Sequence, residues 1–382
     1  MKGKAPSVVI LTASYGSGHN RVAHALATAF RTVGAVPRVV DHFHDLVHPA
    51  FDRLTRGFYY LLLRQAPLLW GAAYWLGDQL PVGSPLLLGM NRLGVRRLGA
   101  LLSSSRPDLV VSVHPTPAGA LSELRARGLV RVLHATVFTD FVAHTQWIYP
   151  GVDWYCVPAD EIKHDLVARG VPRDRIAVTG MPVAPEFADP VDRVAARRAL
   201  GLSPRVPVLL AMAGGHAGLG SLAQVCRTLI EIPHPFQALV VTGTDGKLAQ
   251  RLRRLTSGYE RRIRIYPYVE TIRQFMAAAD LLITKAGGGT LAEALAAELP
   301  LLCFGSLQGQ ELRNERFAGM TGIALVARNR EELKNSLTLV LTDPLLLRKL
   351  RERILVIRRP GAARSVAELL LSGVKALSER AS

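Results

Sequence analysis

Residues 284–293, TKAGGGTLAE, concentrate the chemistry of this chain. An apolar run at 281–283 stops at Gly287, Gly288 and Gly289, and Thr290 then opens a helical pattern rich in Ala and Leu. A strand that feeds a helix through glycines offers bare backbone N–H groups and a helix N-terminus to an anion. Glu293 follows about one turn later, where a carboxylate can pass the phosphates and reach a sugar hydroxyl. Phosphate and ribose together describe a nucleotide. The segment GQELRN, 309–314, follows the next apolar run and places Gln310, Glu311 and Asn314 where another strand would end, the face on which open α/β sheets bind ligands.

Two further glycine loops follow strand-like runs. In the first, Ser14-Tyr15-Gly16-Ser17-Gly18-His19, Arg21 stands where a dinucleotide fingerprint needs its third glycine, which disfavours NAD although Asp41 would suit a ribose. What remains is His19 at the mouth of a helix, a place that keeps an imidazole neutral and basic. The second loop contains Gly214, Gly215, His216, Gly218 and Gly220 and would let backbone approach a phosphate. No D-x-D occurs, so the paired carboxylates that hold a metal on a pyrophosphate are missing, and helix dipoles with basic side chains would have to stabilise a departing diphosphate. His42, His44, His48, His114, His134 and His144 have no spacing that recommends a metal site, and none is expected.

The elements that position these residues read as a doubly wound α/β protein. Short β-branched runs at 7–13, 37–41, 108–113, 132–138, 153–158 and 175–180 alternate with helical patterns. A polar, proline-rich interval at 182–207 interrupts them, and the alternation restarts at 206–215, 237–243, 263–269 and 280–288. The 382 residues therefore divide into two Rossmann-like domains, 1–184 and 185–355, with a C-terminal helix at 356–382 expected to pack back toward the first. One insert, 51–102, exceeds a single crossover helix. It is rich in Leu, Trp70, Trp75 and Tyr beside Arg92, Arg96 and Arg97, which suits an amphipathic surface lying in a bilayer interface and equally a buried helical pair with snorkelling arginines.

The net charge is +17, with 19 Lys/Arg against 12 Asp/Glu in residues 1–180 and 28 against 18 in 181–382, a balance that favours polyanions without choosing among them. Three distant cysteines argue against a disulfide framework or zinc cluster and fit a reducing cytosol. The apolar stretch at 8–13 is too short for a signal-peptide core and no run reaches 18 apolar residues, so the expectation is a protein neither secreted nor membrane-spanning.

The motifs ILTASYGSGHNRVAHAL (10–26), VSVHP (111–115), FTDFVAHTQWIYPGVDWYCVPADEIK (138–163), VTGMPVAPEF (178–187), MAGGHAG (212–218), ITKAGGGTLAEALA (283–296) and GQELRN resemble the monogalactosyldiacylglycerol synthase and processive diacylglycerol glucosyltransferase group of glycosyltransferase family 28, along nearly the whole chain. The resemblance implies a GT-B fold, two Rossmann-like domains facing a cleft, with a UDP-sugar in the C-terminal one. Uracil would meet the backbone near Tyr268 and Val269, and the diphosphate would lie at residues 215–218 and 288–290. Glu293 would hold the ribose, and Gln310, Glu311 and Asn314 the sugar. It makes His19 the base, Asp140 the acidic residue of a Thr-Asp motif, and His144 and Trp147 an H-x-x-W pair on the acceptor side, with the helical insert docking on membrane. Where that group usually reads K-P-G-G and P-G-Q-E, this chain has Lys285-Ala286-Gly287-Gly288 and Gln308-Gly309-Gln310-Glu311.

The expectation is an inverting, metal-independent transfer of a hexose from UDP-glucose or UDP-galactose to diacylglycerol or a related lipid, by a peripheral protein on the cytoplasmic face of an anionic membrane. A UDP-sugar epimerase or a non-catalytic nucleotide-sugar sensor would share the binding motifs. A nucleic-acid binder is suggested by charge alone and lacks interleaved aromatics.

Overall fold

The computed structural model describes residues 4–81, 84, 92–212 and 219–381. They form two compact units, residues 1–185 with 359–382 and residues 186–358.

The first unit contains strands β1 (Ser7–Thr12), β2 (Val36–Asp41), β3 (Leu109–Ser112), β4 (Leu133–Val137), β5 (Trp154–Val157) and β6 (Ile176–Val178). They pair in the order β2-β1-β3-β4-β5-β6, every pair parallel. Helices on both faces explain why these strands read as short unbroken apolar runs rather than alternating ones. Its helices are α1 (Ser17–Thr32), α2 (Pro49–Gln65), α3 (Pro67–Gln79), α4 (Val95–Ser105), α5 (Pro115–Ala126) and α6 (Asp160–Ala168).

The second unit holds β7 (Val208–Met212), β8 (Gln237–Val241), β9 (Ile263–Tyr266), β10 (Leu281–Thr284), β11 (Leu301–Phe304) and β12 (Ala324–Ala327), in the parallel order β12-β11-β10-β7-β8-β9. Its helices are α7 (Arg193–Ala199), α8 (Leu219–Glu231), α9 (Gly246–Leu255), α10 (Ile272–Ala278), α11 (Gly288–Ala296), α12 (Gln310–Met320), α13 (Arg330–Thr342) and α14 (Pro344–Ile357). At the start of β10, Asp280 accepts from Arg197 at 2.5 Å and from the Val208 backbone at 2.8 Å, and Arg193 pairs with it too, so one carboxylate ties α7 to the neighbouring strands. Helix α15 (Ala362–Ala381) returns to the first unit, where it packs on α1 and buries Val366, Ala367 and Leu370.

Two local features differ from the sequence reading. Helix α11 begins at Gly288, two residues before Thr290, because the first turn of a helix needs no intrahelical donor bond and tolerates glycine. Strand β12 was not anticipated; it is a four-residue edge strand beside β11.

Strand order fixes where ligands bind in such sheets. It reverses between β1 and β3 in the first sheet and between β7 and β10 in the second, and the crevice lies beyond the carboxyl ends of those pairs. His19 and His114 follow β1 and β3. Lys285 and its glycines follow β10. The loop after β7, which carries Gly215, His216 and Gly218, lies outside the described residues.

Candidate active site

In the first unit, β1 ends in a turn at Gly16, whose φ of +106° only glycine adopts freely, and the turn delivers His19 to the first turn of α1. His19 Nδ1 lies 2.9 Å from the carbonyl oxygen of Val113, at the end of β3, and 2.9 Å from Thr139 Oγ1, beyond the end of β4. A carbonyl has no proton to give, so Nδ1 carries the hydrogen and Nε2 the lone pair. Burial pushes the His19 pKa down to about 4, against a small opposing effect of the Val113 bond, and the ring is neutral at pH 7. Desolvation, more than the helix end, accounts for that neutrality.

The His114 ring stands edge-on to His19 at 4.7 Å between centroids. Its Nδ1 accepts from the Thr116 backbone at 3.2 Å as the cap of α5, and burial, then His19 and His42, holds its pKa well below the usual value. Trp147 is buried, stacks on Phe138 at 4.8 Å, and lies 6.5 Å from the His19 ring. Asp140 is half-buried beside Thr139.

The residues around these rings are engaged in holding the site. Asp41 accepts the Ser14 hydroxyl at 2.5 Å with one oxygen and the Phe43 and His44 backbones with the other, and so clamps the turn. His144, expected beside the acceptor, is a clasp: Nε2–H donates to the Tyr74 carbonyl at 3.0 Å and Nδ1 accepts from the Gln146 backbone at 3.1 Å. Buried Asp78 reinforces that clasp, accepting from the Thr145 backbone at 2.9 Å and from Arg169 at 3.1 Å. Helix α3 is thereby fastened to the loop that carries Trp147.

The insert consists of α2 and α3, joined at Ala66, and α4; residues 82–83 and 85–91 of it lie outside the described residues. Its side chains divide between a packed inner face and an exposed outer one. Inner faces pack Tyr59 against Trp70, 5.0 Å apart, while Leu54, Phe58 and Leu61 of α2 and Leu68, Leu69, Trp75 and Leu76 of α3 are exposed, Leu68 at 75%. Trp70 is thus internal to the pair and Trp75 is on its outside. Arg97 is spent on the Val47 carbonyl at 2.7 Å and Arg92 leans toward Glu123 at 3.7 Å, leaving Arg96 as the exposed cation of the three without a hydrogen bond or ion pair among the described residues.

In the second unit, Gly287 caps α11, and no side-chain cap takes the first-turn N–H groups of Gly288, Gly289 and Thr290, the groups an anion site uses. Glu293 is buried in the second turn. Tyr268 is exposed and Val269 half-buried on the segment after β9. Gln310 opens α12 behind Gly309, whose φ is +94°. Glu311 and Asn314, expected to contact sugar, are taken up by the protein. Glu311 Oε1 accepts from Lys285 Nζ at 2.6 Å and Oε2 from the Leu307 backbone at 2.9 Å, and fully buried Asn314 donates to the Ala286 carbonyl at 3.1 Å. Both brace the loop after β10 against the loop after β11. Sequence spacing could not reveal these pairs, since Lys285 and Glu311 are 26 residues apart.

Among the described residues, no three His, Cys, Asp or Glu side chains are grouped as a metal site requires, and no helix is long and apolar enough to cross a membrane. Cys156, Cys226 and Cys303 are buried and unpaired.

Residues 19–183 match the family model for monogalactosyldiacylglycerol (MGDG) synthase, and residues 213–346 match that for the glycosyltransferase family 28 C-terminal domain. A processive diacylglycerol beta-glucosyltransferase of Bacillus cytotoxicus is 30% identical over 368 residues, 96% of this chain and 94% of the relative. The chain belongs to the MGDG synthase and processive diacylglycerol glucosyltransferase group of glycosyltransferase family 28.

A further relative of the same name in Bacillus cereus strain AH187 is 30% identical over 97% of this chain and 94% of its own. The fold of this family 28 member is GT-B. MurG of Acinetobacter baumannii superposes with a TM-score of 0.65 at 15% identity, covering 96% of this chain and 100% of that one, and the S. aureus MnaA–UDP co-structure with 0.63 at 12%, covering 98% and 97%. In the family 28 C-terminal domain of this chain, the missing proline has a structural counterpart. The Ala286 N–H donates to Ser306 Oγ at 3.1 Å, a bond that proline, lacking the donor, could not make.

Proposed function

We propose that this family 28 glycosyltransferase moves a hexose from UDP-glucose or UDP-galactose to the free hydroxyl of diacylglycerol or a related glycerolipid, with inversion at C1. The relatives' name favours glucose as the sugar. The observation that carries the chemistry is the fixed tautomer of His19, whose Nδ1–H is spent on Val113 so that Nε2 is a free, neutral acceptor beyond the carboxyl end of β1. The acceptor's O–H proton passes to Nε2 as its oxygen bonds to C1. The C1–O bond to phosphate breaks, and UDP leaves with the electron pair. Asp140, next to the residue that holds His19, orients the acceptor.

The departing diphosphate is met by the open end of α11 and by the loop after β7, and Glu293 takes the ribose. This reading needs no divalent metal. The exposed apolar faces of α2 and α3 seat the protein on an anionic membrane, on its cytoplasmic side, where the lipid acceptor is drawn in.

The purified protein, given each radiolabelled UDP-sugar with diacylglycerol vesicles, is expected to yield a labelled β-glycolipid on thin-layer chromatography. A sugar isomer without lipid product would make it an epimerase, and donor binding without turnover on any lipid a sensor. His19→Ala is expected to lower turnover about 10² to 10⁴-fold while UDP affinity stays near the parent's. Undiminished turnover would remove His19 from the mechanism.

A further inference from the structure

A general base works only if the lone pair is on the nitrogen that faces the substrate, and in a neutral imidazole that is a question of tautomer. His19 Nδ1 has two oxygen neighbours, Val113 O and Thr139 Oγ1, each at 2.9 Å. The first can only accept, so the second, sharing the same N–H, accepts as well in a three-centre bond. The two acceptors come from the ends of different strands, β3 and β4, and Thr139 is only 3% exposed and 120 residues away in sequence. The rings around His19, those of His114 and Trp147, restrict its tilt, but at 4.7 and 6.5 Å between centroids their packing does not choose a tautomer.

We propose that Thr139 is a positioning residue of the transfer: the Val113 carbonyl fixes the Nδ1–H tautomer, and the Thr139 hydroxyl oxygen, sharing that N–H, holds the ring so that Nε2 receives the acceptor's proton. This rests on His19 being the base. As the proton arrives the ring becomes cationic, and the hydrogen bonds from Nδ1–H to both oxygens strengthen. Thr139 therefore acts more strongly in the transition state than in the ground state, and its loss reads in kcat rather than in KM. Both acceptors are neutral, in contrast to the carboxylate that orients the imidazole in a Ser-His-Asp triad.

The test compares Thr139→Val, which keeps the shape and removes the hydroxyl, with Thr139→Ser, which restores it, and with Thr139→Ala should Val not fold. Thr139→Val is expected to lower kcat about 10- to 100-fold, the range for a hydrogen bond to a charged group, with KM for donor and lipid within about 2-fold. Thr139→Ser is expected within about 3-fold of the parent, as the retained hydroxyl predicts. Long-range ¹H–¹⁵N spectra of histidine-labelled protein at pH 7, with the His19 signals identified by their absence in His19→Asn, are expected to show protonated Nδ1 in the parent and in Thr139→Val alike, since the Val113 carbonyl remains. Parental kcat in Thr139→Val, a Ser variant as slow as the Val variant, or loss of the Nδ1–H tautomer in Thr139→Val would each overturn the proposal. If His19→Ala stays active the base assignment itself is wrong, whereas an inactive His19→Ala beside a fully active Thr139→Val rejects Thr139 alone.

Discussion

Lys285 and Glu311 form an ion pair of 2.6 Å that is about nine-tenths withdrawn from solvent on the Lys285 side, and it joins the loops after β10 and β11. The second oxygen of Glu311 takes the Leu307 N–H, so removing this one carboxylate strands both a cation and a backbone donor. Glu311→Ala is expected to cost about 3 kcal/mol of stability, the usual consequence of leaving one partner of a buried pair alone, and to weaken UDP-sugar binding with it. Lys285→Ala should be similarly costly, and the double variant less than additive, in urea unfolding of the four proteins. Additive losses would mean the two side chains act separately.

Ser306→Ala is a finer probe of the same brace. It leaves the N–H of fully buried Ala286 without its acceptor, at an expected cost of about 1 to 3 kcal/mol in the same unfolding measurement. A change below a few tenths would show that water replaces the hydroxyl.

Glu293→Ala is expected to weaken UDP binding by about 1 to 3 kcal/mol by calorimetry. EDTA should leave transfer unchanged. Activity abolished by chelation and restored by Mn²⁺ would overturn the account in which α11 meets the diphosphate.

Acid should unfold the protein early. His42 and His134 are fully buried, and burial pushes their pKa values to about 4 and about 3. Both are neutral in the fold and titrate near 6.5 once unfolded, so their contribution is complete above pH 6.5. It is lost as the pH falls toward 4, at about 1.4 kcal/mol per pH unit for each. Urea midpoints measured at pH 7, 6 and 5 should decline; a flat series would contradict the assignment.

Membrane attachment should follow the apolar faces of the insert more than its arginines. Leu69→Asp with Trp75→Asp, both at exposed positions, is expected to abolish co-sedimentation with anionic vesicles and depress transfer on them while sparing UDP binding. Reversing Arg92, Arg96 and Arg97 to Glu should do less, because Arg97 and Arg92 already face protein oxygens. Unaltered sedimentation of the Asp pair would move the docking surface elsewhere.

What sequence made legible was periodic or adjacent. Unbroken β-branched runs marked the strands because both faces of each sheet are covered, and glycines marked the turns because Gly16 and Gly309 need positive φ. β12 escaped because a four-residue edge strand has little period to show. His19 stood out at a turn, but Thr139 and Val113, the oxygens that meet its Nδ1, come from 120 and 94 residues away. The protein partners of Asp41, His144, Glu311 and Asn314 are illegible in sequence for the same reason. A polar side chain at a strand end looks alike in sequence whether it meets a ligand or a neighbouring loop, and only the fold says which.

Helix α15 packs on α1, the helix that begins with the Gly16 turn and carries His19, yet it is separated from it in the chain by the whole of the second unit. Gly180, at a φ of +83°, sits so close to Arg359 and Ala362 that no side chain fits between the outgoing and returning strands of chain. During synthesis the first sheet must therefore wait, with the α1 surface that will cover Val366 and Leu370 still uncovered, until some 170 further residues have left the ribosome. The half of the molecule that starts first is the half that finishes last.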